Sequence, residues 1–259
     1  MKDLPDFSNP AWFLVAALVV YVIVMGRYFL ISGIFYAVLY RWKKKQFTSR
    51  KISAREYNKG QFLTEIIRSN LTALLFGISG AVLALLWQKG YTKIYTDIHD
   101  HSLLWLPLSL IIALLLQETY YYWLHRWMHI PSVYRLVHKW HHDSQVASPW
   151  TAFSFHPLEG LIQAIFLPIL LLFLPMHLYV LILMLVIMSF SSVINHLDIE
   201  LYPKWFNRYM ITRWLIGATH HSLHHKQYKY NYGLYFTFWD KWAGTESPHF
   251  NEVFDQKSK

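Results

Sequence analysis

The segment that decides the fold is LLWLPLSLIIALLLQETYYYWLHRWMH, residues Leu103–His129. It begins as an apolar run, and crossing a bilayer takes about 17–25 such residues. From Gln117 onward the run turns polar and aromatic, and it ends in two histidines, His125 and His129. Residues spaced four apart lie on one face of a helix. The segment therefore predicts a membrane helix whose end carries a pair of imidazoles.

The composition of the whole chain is that of a membrane protein. Of its 259 residues, 54% are hydrophobic and 15% are charged, whereas about 25% of residues are charged in soluble domains. The mean hydropathy is +0.21. An aromatic content of 18% excludes a disordered chain. The sequence contains no cysteine, which excludes disulfides, iron–sulfur clusters and thiolate-bound haem.

Five apolar runs predict the membrane spans. We expect an all-α, polytopic membrane helical bundle with about four to five spans, because Pro175 leaves the last two runs as either a helical hairpin or a re-entrant pair. The first run follows acidic residues and precedes no small-residue cleavage site, so we interpret it as a retained anchor. The predicted spans are Trp12–Ile31, Leu71–Trp87, Leu103–Leu124, Leu158–Leu174 and Leu178–Ile194.

Positive charge orients these spans. The segment Arg41–Gly60 contains eight lysines and arginines, and the positive-inside rule places such a segment in the cytoplasm. The segments His125–Pro157 and everything after His196 then lie on the same side, whereas Lys89–Ser102 lies outside. We therefore expect a cytoplasmic helical cap built from the segments that follow the third and fifth spans.

Histidine is unusually frequent, with 15 residues. Twelve of them fall on the predicted cytoplasmic side. His125–His129 forms an HxxxH motif, and His138–His142 and His221–His225 each form an HxxHH motif. Helical spacing places the outer two histidines of each HxxHH motif on one face of a helix and directs the middle one toward an adjacent ligand position. This pattern suits two metal ions side by side, each bound by several neutral imidazoles.

Single histidines are assigned by their position along the chain. His196 follows the last predicted span and reaches the same interface, so we take it as a candidate ligand. His99, His101 and His177 lie on the opposite side, and we expect none of them to bind metal. His249 lies in a polar tail, where we expect it to be solvated.

Further polar residues near the clusters are candidates for an extra ligand or for a hydrogen-bond partner of a ligand. Glu118 lies at membrane depth seven residues before His125, where an ionisable group needs a partner. We expect that partner to be a ligating histidine or Tyr122, with Arg126 or another helix as the alternative. The other candidates are Asp143, His156, Glu200, His220 and Asp240; a helix terminus is the alternative role for His156, and a cap or surface position for Asp143 and Asp240.

The segments HRWMH, HKWHH and HHSLHH, with FHPLEG and NYGLYFTFWDKWAGT, resemble the fatty acid hydroxylase / sterol desaturase superfamily. The resemblance covers about Glu118–Thr245 and favours the sterol desaturase-like branch. It implies an integral-membrane, non-haem di-iron oxygenase that acts on lipid. The metal ligands that it implies are His125, His129, His138, His141, His142, His196, His221, His224 and His225. Some hydroxylase relatives have one more histidine four positions after the isolated one; this chain has Glu200 there.

The resemblance also sets the expected organisation and chemistry. Residues 1–102 are expected to form anchor spans and a basic cytoplasmic loop, and residues 103–259 the catalytic region, as one structural unit. We expect two iron ions as cofactor and O₂ as co-substrate for hydroxylation or desaturation of a lipid C–H bond. The alternative is a membrane metal transporter, or a metal-binding protein without oxidase activity.

Partners and location follow from the same considerations. The sequence has no glycine-rich dinucleotide motif, so we expect electrons from an external donor of ferredoxin or cytochrome type with its reductase. We expect a lipid substrate and no nucleic-acid partner. The metal site is predicted on the cytoplasmic side of a multi-pass membrane protein, with a bacterial inner membrane favoured and the endoplasmic reticulum as the alternative.

Overall fold

The computed structural model describes residues 5–258, which are mostly helical. The long helices are α1 (Pro10–Phe35), α3 (Lys59–Gln88), α4 (Trp105–Met128), α7 (Pro157–Phe173) and α8 (Leu178–Asn195). The short ones are α2 (Lys44–Phe47), α5 (Pro131–Val137), α6 (Lys139–His142), α9 (Ala218–Gln227), α10 (Phe238–Trp242) and α11 (Phe250–Lys257). A π-helix, Tyr36–Trp42, continues α1, and a 3₁₀ turn, Pro149–Phe153, precedes α7.

Four of the long helices begin at a side chain that accepts a hydrogen bond from a backbone N–H of the first turn. Such a cap satisfies one of the donors that a helix start leaves without an intrahelical partner. The capping residues are Asn9 for α1, Asn58 for α3, His156 for α7 and His177 for α8. His156 thus takes the helix-terminus role that was the alternative to metal binding.

The all-α membrane bundle predicted from the sequence is confirmed. Within residues 5–258, three helical segments are long and apolar enough to cross a bilayer: Pro10–Trp42, Gly60–Gln88 and Leu178–Asn195. Helix α7 is apolar but only 17 residues long, and α4 ends in the polar stretch from Gln117. The five predicted runs are therefore five helices, three of which qualify as spans by length and composition.

Helices α1 and α3 pack closely because α3 presents two glycines to α1. A Cβ atom on Gly77 would lie 2.7 Å from the carbonyl oxygen of Ala17, and one on Gly80 would lie 2.7 Å from Cγ1 of Val20. Small residues at such crossings allow helix backbones to approach each other. The close contact anchors the first helix to the rest of the bundle.

The two ends of the bundle differ in structure. At one end, strands β1 (Ile94–Tyr95) and β2 (Met176–His177) pair in parallel. At the other end, the basic segment lies against the chain that follows α8, because the Ile52 N–H donates to the Asp198 carbonyl at 2.9 Å. The 18 residues of α8 separate these ends by about 27 Å. The basic segment therefore shares an end with His196, while His177 lies at the opposite end.

A buried carboxylate fixes the loop that follows α6. Glu65, on α3, is 1% exposed, and side chains of the loop and of the helix start surround it with neutral donors. These donors are Tyr57 Oη (2.6 Å), Gln61 Nε2 (2.8 Å), Ser144 Oγ (2.7 Å), Ser148 Oγ (3.1 Å) and Thr151 Oγ1 (2.6 Å). Glu65 thereby joins α3 to the segment directly after the second histidine motif.

Candidate metal centre

Nine histidines converge where the ends of α4 and α8 meet α5, α6 and α9. His125 lies in the last turn of α4, and His129 is its C-cap. His138 precedes α6, which carries His141 and His142, while His196 is the C-cap of α8. Helix α9 carries the last three, His221, His224 and His225. All are buried except His129, which is partly exposed.

Five of them form one group, called here the five-histidine group: His125, His129, His138, His142 and His224. One ring nitrogen from each lies within 4.8 Å of all the others. The Nε2 atoms of His125 and His138 are 3.0 Å apart, and His224 Nε2 lies 3.1 Å from that of His129 and 3.0 Å from that of His142. The Nε2 atoms thus point toward one centre.

The other four, His141, His196, His221 and His225, form the four-histidine group, which satisfies the same distance limit. Its Nε2 contacts are 3.1 Å for His141–His196, 2.9 Å for His196–His221 and 3.2 Å for His221–His225. In each HxxHH motif, the outer two histidines join one group and the middle one joins the other. The groups adjoin, because the rings of His142 and His225 have centroids 4.5 Å apart.

Hydrogen bonds to Nδ1 determine the tautomer of several rings. The Nδ1 atom of His125 lies 2.9 Å from the Tyr232 carbonyl, that of His196 lies 2.7 Å from the Ser192 carbonyl, and that of His138 lies 2.9 Å from a Glu159 carboxylate oxygen. A carbonyl oxygen only accepts, so the Nδ1 atoms of His125 and His196 carry the proton and their Nε2 atoms are bare lone pairs. His224 and His141 make the same contact to the carbonyls of Tyr230 and Ser154.

Bare nitrogens that face each other require a cation. His141 and His196 both donate through Nδ1 to a backbone carbonyl, yet their Nε2 atoms are 3.1 Å apart with no proton available between them. Two such lone pairs repel unless a positive ion lies between them. Two imidazole nitrogens bound at about 2.1 Å and at right angles to one ion are about 3.0 Å apart. The residues therefore fit metal ions, and an all-imidazole donor set suits iron, zinc, copper or nickel.

Burial keeps these rings neutral. Loss of hydration, reinforced by neighbouring imidazoles, holds the pKa of His142 and His225 well below the usual value for histidine. Burial likewise lowers the pKa of His196 to about 4, partly offset by its hydrogen bond to Ser192. Neutral imidazole is the form that binds metal. At neutral pH these ligand candidates need not lose a proton before binding.

Glu118 is buried, but its partners differ from those expected. Its carboxylate accepts hydrogen bonds from the backbone N–H groups of Leu234 (3.1 Å), Tyr235 (2.6 Å) and Phe236 (3.1 Å). The expectation that a ligating histidine or Tyr122 would be its partner is wrong, as is the alternative with Arg126 or another helix, because Leu234–Phe236 lie in a loop. The loop after α9 passes over α4 and presents consecutive amides, which no spacing in the sequence indicates.

Asp240 supports a ligand candidate indirectly. Its carboxylate accepts from the backbone N–H groups of Tyr232 (2.8 Å) and Gly233 (2.9 Å), and the Tyr232 carbonyl in turn accepts from His125. His220 is fully buried and lies 3.6 Å from Asp240, and it belongs to neither histidine group. Asp240 therefore orients the backbone that orients His125.

The remaining candidates lie outside both groups. Glu200 accepts from the N–H of Tyr202 at 2.9 Å and of Thr219 at 3.0 Å, so it caps the start of α9. Asp143 pairs with Arg68 at 3.1 Å and Lys139 at 2.7 Å on the surface. The expected non-ligands are also outside the groups: His99, His101, His177 and His249.

One residue that sequence reasoning missed contacts a ligand candidate directly. Glu159, in the first turn of α7, is fully buried, and its Oε2 accepts from His138 Nδ1 at 2.9 Å. A signal was present, because Glu159 is a lone acidic residue at the start of an apolar run. An ionisable group in that position needs a partner.

Comparison with known proteins agrees with this site. Residues 110–245 match the fatty acid hydroxylase family, and this region contains all nine histidines. The match covers about half of the chain. The chain therefore belongs to the fatty acid hydroxylase family.

Similar proteins lie in its sterol desaturase-like branch, as the sequence predicts. Lathosterol oxidase of Mus musculus is 32% identical over 196 residues, which are 73% of this chain and 62% of that protein. Delta(7)-sterol 5(6)-desaturase ERG3A of Gibberella zeae is 30% identical over 220 residues, 84% of this chain and 58% of that protein. The chain thus spans about three fifths of the length of these two relatives. No solved structure matches it.

Proposed function

We propose that this protein is a membrane di-iron oxygenase that hydroxylates or desaturates a lipid C–H bond. The observation that carries the proposal is the pair of adjoining histidine groups, in which neutral imidazoles direct bare Nε2 atoms at two centres. Membership of the fatty acid hydroxylase family supports it. The names of the relatives, which are sterol desaturases and oxidases, support a lipid substrate.

The chain itself supplies binding, orientation and exclusion of water. Two bound iron ions would provide the redox chemistry that activates O₂ and breaks a lipid C–H bond. The five-histidine and four-histidine groups would hold one ion each. Glu159 and the carbonyls of Ser192, Tyr230 and Tyr232 fix the rings through Nδ1, which prevents the ligands from turning away. Their burial keeps bulk water from the reacting centre.

The position of the groups suits a lipid substrate and a soluble electron donor. They lie where α4 and α8 end, so a lipid chain can approach along the bundle while a redox partner approaches from the water. The basic segment Arg41–Gly60 lies at the same end and would attract an acidic carrier. The competing explanation is that these charges only orient the chain in the membrane, as the positive-inside rule describes.

A metal transporter is the alternative function. Transport sites lie near the middle of the membrane, at the interface between repeats. Here the nine imidazoles gather at the ends of helices, and Glu159 and backbone carbonyls fix their rings. These observations favour catalysis.

The test is product formation by iron-loaded protein in lipid vesicles. With O₂, a ferredoxin and its reductase, we expect a lipid product that has gained oxygen or lost a pair of hydrogens, detected by mass spectrometry. NADPH without the carrier should give no product. Absence of product from sterol, fatty acyl and phospholipid substrates, in a sample with two irons per chain, would overturn the proposal.

A further inference from the structure

A cavity of about 510 Å³ lies at the histidine end of the bundle, beside the π-helix that continues α1. Ligand sites commonly have volumes of about 300–1,000 Å³. Its lining comes mostly from residues 36–62, which precede the region that matches the family, and from Trp150 in the 3₁₀ turn. The π-helix itself is a rare element that occurs preferentially at functional sites.

Aromatic side chains form the walls of this cavity. Tyr36 and Tyr40 stack with ring centroids 5.4 Å apart, and Trp150 contacts Tyr36 at 5.8 Å and Phe62 at 5.4 Å. Tyr57, which also lines the cavity, is held in place by its hydrogen bond to Glu65. The walls therefore provide a fixed apolar surface suited to a hydrocarbon chain.

The cavity is positively charged at its rim. Arg41, Lys44 and Lys51 line it against a single acid, Glu56, which pairs with Lys51 at 3.7 Å. Subtracting one acid from three bases leaves an excess of two positive charges, carried by Arg41 and Lys44. Such an excess favours an anionic group over a neutral or cationic one.

The cavity is linked to the segment that follows His196 of the four-histidine group. The Tyr40 hydroxyl donates to the carbonyl of Leu197, and Leu197 is the residue next to His196. Ile199 lines the cavity from the same segment. A lipid held here by its head group would therefore lie at the same end of the bundle as the proposed metal centre.

We propose that this cavity binds the head group of an anionic lipid, with its carboxylate or phosphate at Arg41 and Lys44 and its hydrocarbon chain against the aromatic walls. The inference rests on the proposed function in one respect, because it names an acidic amphiphile as the substrate class. A free fatty acid and an anionic phospholipid share the required chemistry.

Equilibrium binding to the purified full chain tests the proposal without requiring turnover. The probes are radiolabelled oleate and dioleoylphosphatidylglycerol, with cholesterol as the uncharged reference. The double variant R41A/K44A should weaken binding of at least one anionic probe by about tenfold or more, since hydrogen bonds to charged groups contribute this much. Trp150→Ala, which removes the aromatic wall contributed by this residue, should weaken the same probe.

The matched control is K43A/K45A, which removes two charges from the same segment at positions that do not line the cavity. It should leave binding of the anionic probes unchanged. Equal weakening by both double variants, or cholesterol binding as tight as that of the anionic probes, would overturn the proposal. Turnover that stays the same in R41A/K44A would reject this site and leave the oxygenase function standing. Specific anion binding without any lipid product would support this site and reject the oxygenase function.

Discussion

At the scale of single residues, the contact between Glu159 and His138 determines how one ring faces its metal position. The carboxylate accepts the Nδ1 proton at 2.9 Å and so holds Nε2 toward the five-histidine group. Loss of such a partner lowers metal affinity by about 10–100-fold. We expect this loss in Glu159→Leu, measured by competitive metal titration. Glu159→Gln keeps an acceptor oxygen and should retain most of the affinity; equal losses in both variants would contradict the orienting role.

The ligand candidates themselves give a second prediction. His142→Ala and His225→Ala each remove a buried imidazole from one group, so each should lower the metal content and abolish turnover. His99→Ala is the control, because His99 lies in neither group. Metal content by plasma emission spectroscopy and product by mass spectrometry decide the matter. Wild-type metal content in both ligand variants would show that these residues do not bind metal.

At the scale of elements, Glu65 connects α3 with the loop that follows the second histidine motif. Glu65→Ala would remove the acceptor shared by five donors, of which Gln61 keeps its bond to the Val146 carbonyl. Each buried donor left without a partner costs about 1–3 kcal/mol. We expect a clearly lower melting temperature and a reduced metal content, measured by differential scanning fluorimetry and emission spectroscopy. Glu65→Gln should show a smaller effect. A melting temperature unchanged by Glu65→Ala would contradict this prediction.

The helices and loops also show which features of the structure could be predicted from the sequence. Each of the five apolar runs is a helix, because length and apolarity are local properties. The histidine motifs could be placed together because helical spacing and a shared membrane side both act on them. The partner of Glu118 could not be predicted, since it depends on how the loop at Leu234–Phe236 crosses α4. The hydrogen bonds to the carbonyls of Tyr230 and Tyr232 could not be predicted either, because every residue has a backbone carbonyl.

At the scale of the whole molecule, bound metal should be part of its stability. Each ion that binds only the folded chain stabilises it by about 2.7 kcal/mol at a free concentration of 100 times its dissociation constant. We expect about two metal ions per chain, and a chelator should lower the melting temperature. Restoring iron should reverse the change. A ratio of one or less in active protein would contradict the two-metal proposal.

The opposite ends of the bundle give a prediction of sidedness. The chain contains no cysteine, so single cysteines report their own location. His99→Cys, near the β1–β2 end, and His249→Cys, an exposed site beyond α9, should react with a membrane-impermeant maleimide from opposite sides of sealed vesicles. Labelling of both from one side would show that the predicted topology is wrong.

The contact between His129 and His224, 3.1 Å apart across 95 positions of sequence, bears on the order of events during synthesis. Neither histidine group is complete until α9 has left the ribosome, at about 5–20 residues per second. The first HxxxH motif therefore waits some 5–20 s for its last partner, while the early helices are already entering the membrane. A nascent chain stalled before α9 should consequently hold no stable metal pair. Cofactor insertion then belongs to the last stage of maturation, after the membrane helices have been made.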